Sequence, residues 1–137
     1  MELRSSVIPV LDRKLFRNRT FVLPGGMPGT KNLGACKALT ELLTASFEAG
    51  KKLAAICAAP SVLGDLGILK GKKACCYPGF EEHLTGAQVV FDQVAQDGNV
   101  TTSRGMGTAI PFALSLVSQL VSEEKAQDLA QSIIFKV

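Results

Sequence analysis

The sequence predicts an α/β fold in which a parallel sheet is covered by helices on both faces. Two observations carry this expectation. Short runs of apolar and β-branched residues, each stopped by glycine or proline, alternate with stretches whose apolar residues recur at spacings of three and four. Of 137 residues, 47% are hydrophobic, enough for one domain to bury a core without disulfide or metal staples.

Residues 1–19 fit no single element and form an unassigned segment ahead of a domain over 20–137. Val7-Ile8-Pro9-Val10-Leu11 is an apolar run broken by proline, and residues 13–19 are basic. Thr20-Phe21-Val22-Leu23 reads as a short buried strand, ended by the turn Pro24-Gly25-Gly26. From 32 to 49 the pattern is helical, with Leu33, Cys36, Leu39, Leu42, Leu43 and Phe47 on one face. Gly50 sits where a helix stops. Lys52-Leu53-Ala54-Ala55-Ile56 is a second strand. Cys57 follows at once, and Pro60 falls in the first turn of the next helix, where its missing N–H costs little. That helical stretch ends near Gly67.

Lys73-Ala74-Cys75-Cys76-Tyr77 reads as a third strand, stopped by Pro78-Gly79. Residues 80–84 suit one helical turn. Residues 89–94 and 99–102 suit two strands about the turn Asp97-Gly98. A polar, glycine-rich loop over 103–108 leads into helices over 109–122 and 123–133, with Thr108 placed to cap the first.

Composition excludes several classes. Fifteen basic and twelve acidic residues are intermixed, and a net charge of +3 does not indicate nucleic acid as the main partner. No run approaches the ~18 apolar residues of a membrane span. The start, Met1-Glu2-Leu3-Arg4-Ser5-Ser6, lacks the apolar region of a signal peptide. The four cysteines, Cys36, Cys57, Cys75 and Cys76, form no disulfide framework and no C-x-x-C, which suits a reducing cytosol. With His83 as the lone histidine, a structural zinc site is not expected.

Cys57 stands between a strand end and a helix start. There a thiol meets unpaired N–H groups and the positive end of the helix dipole, which lower a cysteine pKa from its free value of ~8.5. This is the arrangement of a nucleophile elbow. Position alone leaves two readings open, a reactive thiolate and a small buried hydrophobe. Cys36, Cys75 and Cys76 read as packing residues. The Pro24-Gly25-Gly26 turn shares the C-terminal edge of the sheet. The N–H groups of Gly26 and Ala58 could converge there on an oxyanion beside Cys57, the alternative being a plain tight turn. The Gly105-Met106-Gly107 loop resembles a phosphate cradle but lacks the rest of either nucleotide fingerprint. It reads instead as a loop that brings Arg104 to the cysteine edge. His83 sits in a polar stretch and reads as a surface residue rather than a base for Cys57.

Four segments, taken together, carry a resemblance. They are Val22-Leu23-Pro24-Gly25-Gly26-Met27-Pro28-Gly29-Thr30, Ile56-Cys57-Ala58-Ala59-Pro60, Tyr77-Pro78-Gly79 and Thr102-Ser103-Arg104-Gly105-Met106-Gly107-Thr108. In order and spacing the set resembles the DJ-one-like branch of the ThiJ/PfpI superfamily over about residues 20–137. The resemblance implies a flavodoxin-like three-layer sandwich with a mainly parallel sheet, usually a homodimer. It implies that Cys57 is the nucleophile, with the Gly26 and Ala58 N–H groups around its substrate and Tyr77 and Arg104 nearby. It implies cofactor-free glyoxalase or deglycase chemistry on small α-oxoaldehydes such as methylglyoxal or on glycated substrates. The other implied readings are an oxidative-stress sensor or chaperone and a catalytically dead fold; an older label ties the family to thiazole biosynthesis. Ala58 stands where the protease-like branch has a histidine, so a peptidase is not expected. Tyr77 stands where the human-type protein has a histidine. The family also carries a glutamate on a loop after its first strand. Here 22 residues precede Leu23, and the acids among them, Glu2 and Asp12, lie in no matching motif. The expectation is a domain short at its N-terminus, lacking the usual acidic partner of the cysteine and therefore of low activity.

Overall fold

The computed structural model describes residues 19–136. The Val7 to Leu11 run and the acids Glu2 and Asp12 lie outside the described residues. Along the chain run β1 (Phe21–Leu23), α1 (Gly29–Ala35), α2 (Lys37–Glu48), β2 (Leu53–Ile56), α3 (Pro60–Asp65), β3 (Lys73–Ala74) and a 3-10 turn (Glu81–His83). There follow β4 (Gln88–Val89), β5 (Val94–Asp97), β6 (Val100–Ser103), a second 3-10 turn (Met106–Thr108), α4 (Ala109–Leu120) and α5 (Glu123–Ser132). The main sheet has the order β1-β2-β6-β5. Its first three strands are parallel, and β5 joins β6 as an antiparallel hairpin. β3 and β4 pair in a separate two-stranded sheet.

The register assigns a face to each strand residue, because side chains alternate along a strand and in-register neighbours share a side. Phe21, Leu53 and Val100 align, as do Leu23, Ala55 and Thr102. This face meets Leu43 of α2 and Val62 and Leu63 of α3, and the core extends to Leu69, Ala74, Cys76 and Leu84. Leu43, Leu53, Leu63 and Leu69 are fully buried, each favouring the fold by about 2 kcal/mol through removal from water. The alternate residues Ala54 and Thr101 look the other way. There Gln119 of α4 donates from Nε2 to Thr101 Oγ1 at 2.9 Å. Phe112 of α4 and Ala126 and Ala130 of α5 are also buried. Helices therefore cover both faces of a mainly parallel sheet, as expected.

Four expectations are corrected. The helical pattern over 32–49 is two helices, because Cys36 is extended (φ −82°, ψ 101°). Its carbonyl accepts the Thr40 N–H at 3.0 Å and starts the second helix. Gly34, a poor helix former, lies just before the break. The third strand stops at Ala74, since the Cys75 N–H goes to the Thr102 hydroxyl (3.0 Å) and the Tyr77 N–H to the Cys57 carbonyl (2.8 Å). The strand expected over 89–94 splits between β4 and β5, with Phe91 exposed between them. Thr108 does not cap α4 with its side chain; it faces backward into its own loop.

Candidate functional site

β2 ends at Ile56, and the next residue turns the chain through the left-handed region, with Cys57 at φ +66°. Such a conformation is unusual for a residue with a Cβ and persists only where surroundings hold it. Both sides of the Cys57 peptide are held. Its N–H donates to the Ser103 carbonyl at 3.1 Å, and its carbonyl accepts the Tyr77 N–H at 2.8 Å. Ala58 and Ala59 are buried, and Pro60 opens α3 directly behind them. The Ser61 hydroxyl donates to the Ala58 carbonyl at 2.6 Å. Cys57 as a residue is left partly exposed at the strand end.

The glycine turn after β1 lies against this cysteine, because β1 and β2 pair in register up to Leu23 and Ala55. A Cβ on Gly25 would stand 2.4 Å from Cys57 Cβ and 3.2 Å from its Sγ, so this position admits no side chain. Gly26 takes φ +93°, a conformation open to glycine. Among the described residues, the N–H groups of Gly26 and Ala58 donate to no protein acceptor.

The loop after β6 completes the edge. The Thr108 hydroxyl accepts the N–H groups of Arg104 and Gly105 at 3.2 and 3.0 Å. The Ser103 hydroxyl lies 2.6 Å from that oxygen and 2.6 Å from the Gln93 carbonyl. These two donors are engaged within the loop and point at no ligand. Tyr77 is half exposed, and a Cβ on Gly105 would lie 3.4 Å from its ring. Arg104 donates from Nε to the Cys76 carbonyl at 3.2 Å, and its guanidinium covers the Phe91 ring at 5.3 Å. Arg104 thus ties the loop to the Cys75-Cys76 segment. His83 is held elsewhere, with Nδ1 3.1 Å from Asp65 Oδ1.

The neighbouring cysteines differ in character. Burial pushes the Cys75 thiol up, although Thr102 lies 3.7 Å from its sulfur. Burial, with help from the Glu81 carboxylate, pushes Cys76 up to about 11. Both stay protonated thiols at neutral pH. Among the described residues, no carboxylate or imidazole pairs with the Cys57 sulfur. Among the described residues, no group of three or more His, Cys, Asp or Glu could hold a metal ion and no helix is long and apolar enough to cross a membrane.

Sequence reasoning singled out Gly26 and overlooked Gly25, Thr102 and Ser103. Gly25 matters only through the pairing of β1 with β2, and Thr102 only through contact with a segment 27 residues away. Ser103 and Thr108, five residues apart across a glycine-rich loop, carried the one local signal available.

The sequence profile of the DJ-1/PfpI family matches residues 16–119. A DJ-1 homolog A of Arabidopsis thaliana is 43% identical over 118 residues, which cover 84% of this chain and 30% of that protein. The chain therefore spans under a third of that relative. A glutathione-independent glyoxalase of Caenorhabditis elegans is 34% identical over 131 residues, covering 93% of this chain and 70% of the relative. The solved structure of Drosophila melanogaster DJ-1beta superposes with a TM-score of 0.82 at 36% identity, covering 90% of this chain and 69% of that one.

Proposed function

The chain belongs to the DJ-1/PfpI family, and from that premise we propose that it is a cysteine-dependent, cofactor-free enzyme of the glyoxalase or deglycase type. Its substrates are small α-oxoaldehydes such as methylglyoxal, or their adducts. The observation that carries this reading is the left-handed, partly exposed Cys57 beside two N–H groups without protein acceptors.

The chemistry follows from that arrangement. Cys57 Sγ forms a bond to the aldehyde carbon, and the carbonyl electrons move to the oxygen. The Gly26 and Ala58 N–H groups stabilise that oxyanion. Proton transfer from the aldehyde carbon to the adjacent carbonyl carbon, through an enediol, gives a thioester of the hydroxy acid. Water then cleaves the thioester, releasing lactate and restoring the thiol. The net reaction adds one water to methylglyoxal. Tyr77 and Arg104 border the site without a direct part in these steps. Among the described residues no carboxylate or imidazole stands at the Cys57 sulfur to shuttle this proton. The protein is read as a cytoplasmic homodimer, with neither nucleic acid nor membrane as partner.

The glyoxalase named among the relatives supports this reading by analogy. The test is lactate formation from methylglyoxal by the wild type and by Cys57→Ser. Loss of activity in the variant is expected, and equal rates would refute a catalytic Cys57.

A second reading, an oxidation sensor without turnover, draws on the contrast between the partly exposed Cys57 and Cys36 and the buried Cys75 and Cys76. Peroxide titration followed by mass spectrometry separates the two readings. A sensor forms sulfenic and then sulfinic acid at Cys57 first, in a protein that makes no lactate.

A further inference from the structure

A cavity of about 570 Å³ opens among α1, α2, α3 and the first 3-10 turn, and Cys57 is not in its wall. Its size lies in the range that takes small organic ligands. One side is apolar, formed by Val62, Leu66 and Phe80.

The polar groups in the wall are unevenly satisfied. Thr30 is 3% exposed, and among the described residues its hydroxyl has no hydrogen-bond partner. A buried hydroxyl without a partner is costly, and a valine would fill the same space without that cost. Lys31, the next residue, is exposed and forms no ion pair among the described residues. The acid in the wall, Asp65, is already engaged by His83. The cavity therefore offers an unpaired ammonium and an orphaned hydroxyl, while its carboxylate is taken. That balance favours an anionic head group over a cationic one.

We propose that this cleft binds a small organic acid, with its carboxylate on Lys31 and Thr30 and its apolar or aromatic body against Val62, Leu66 and Phe80. A threonine in a helix has two accessible χ1 rotamers, so the hydroxyl can turn to meet the head group. The ring nitrogen of His83 that faces away from Asp65 provides a further polar contact for a substituent on the body.

The experiment is a titration of the full chain, labelled with nitrogen-15, by benzoate, benzamide and benzylamine. At about 10 mM probe even a millimolar site is well occupied. Benzoate is expected to give saturable shifts at the Thr30, Lys31, Leu66 and His83 amides. Benzamide and benzylamine should bind at least about tenfold more weakly. Lys31→Gln, an exposed change, should weaken benzoate by about tenfold. Thr30→Val should raise the Tm of the free protein and weaken benzoate. Equal binding of all three probes, shifts confined to the Cys57 edge, or undiminished benzoate affinity in Lys31→Gln would overturn the proposal. A lowered Tm in Thr30→Val would do the same, because it would show the hydroxyl to be engaged.

Discussion

Cys57 and the Cys75-Cys76 pair lie one hydrogen bond apart, through the Tyr77 N–H that reaches the Cys57 carbonyl. They nevertheless differ in backbone conformation and in exposure. Cys57 occupies a strained turn, partly exposed, with glycine on one side and alanines on the other. Cys75 and Cys76 are 0% and 2% exposed, and burial keeps both as thiols. The difference shows that nearness to the C-terminal edge of a sheet does not by itself expose a cysteine. What separates them is whether the backbone turns the sulfur out of the packed layer. At Cys57 a left-handed residue does so; at Cys75 the Thr102 hydroxyl fixes the chain in the core.

The contrast can be broken most strongly at Gly25. Gly25→Ala places a methyl 2.4 Å from Cys57 Cβ, well inside contact distance. Alkylation of Cys57 should fall by at least about tenfold, as small displacements of reacting groups have large effects. Peptide mapping of iodoacetamide-treated protein checks this, with circular dichroism reporting whether the fold persists. On the buried side, Thr102→Val removes the acceptor of the Cys75 N–H. It should lower stability by about 1–3 kcal/mol in urea unfolding, because a buried donor is left unpaired.

A pH experiment sharpens the same side. Below the ordinary cysteine value of 9.0, native and unfolded chains both keep the Cys76 proton. Between 9.0 and about 11 the unfolded chain loses it and the native chain does not. Native stability therefore falls as pH rises through that window, by at most about 3 kcal/mol. Urea midpoints at several pH values, compared with those of Cys76→Ala, measure the loss. The smallest effect is expected for His83→Ala. His83 pairs with Asp65 rather than with the cysteine, so Cys57 alkylation should stay within about twofold of wild type.

Much of this contrast is legible in the sequence. β1 and β2 are apolar runs with abrupt stops, and the stop after Ile56 is enough to single out Cys57. The parallel sheet with helices on both faces follows from the alternation of the two periodicities. What stays hidden depends on contacts between distant segments. The helical periodicity runs unbroken through Cys36, because residues on both sides of the break pack on one core. The shortness of β3 reflects donors drawn away by Thr102 and Cys57, neither of them close in sequence. The cleft around Thr30 exists only where three helices and a turn meet.

The central claim is that backbone geometry makes Cys57 the reactive cysteine of the four. Pulse alkylation of the native protein with iodoacetamide at neutral pH, read out by peptide mass spectrometry, tests it most directly. Cys57 should be modified ahead of Cys36 and at least about a hundredfold faster than Cys75 and Cys76. Modification of Cys36 or Cys76 before Cys57, or at an equal rate, would contradict the account.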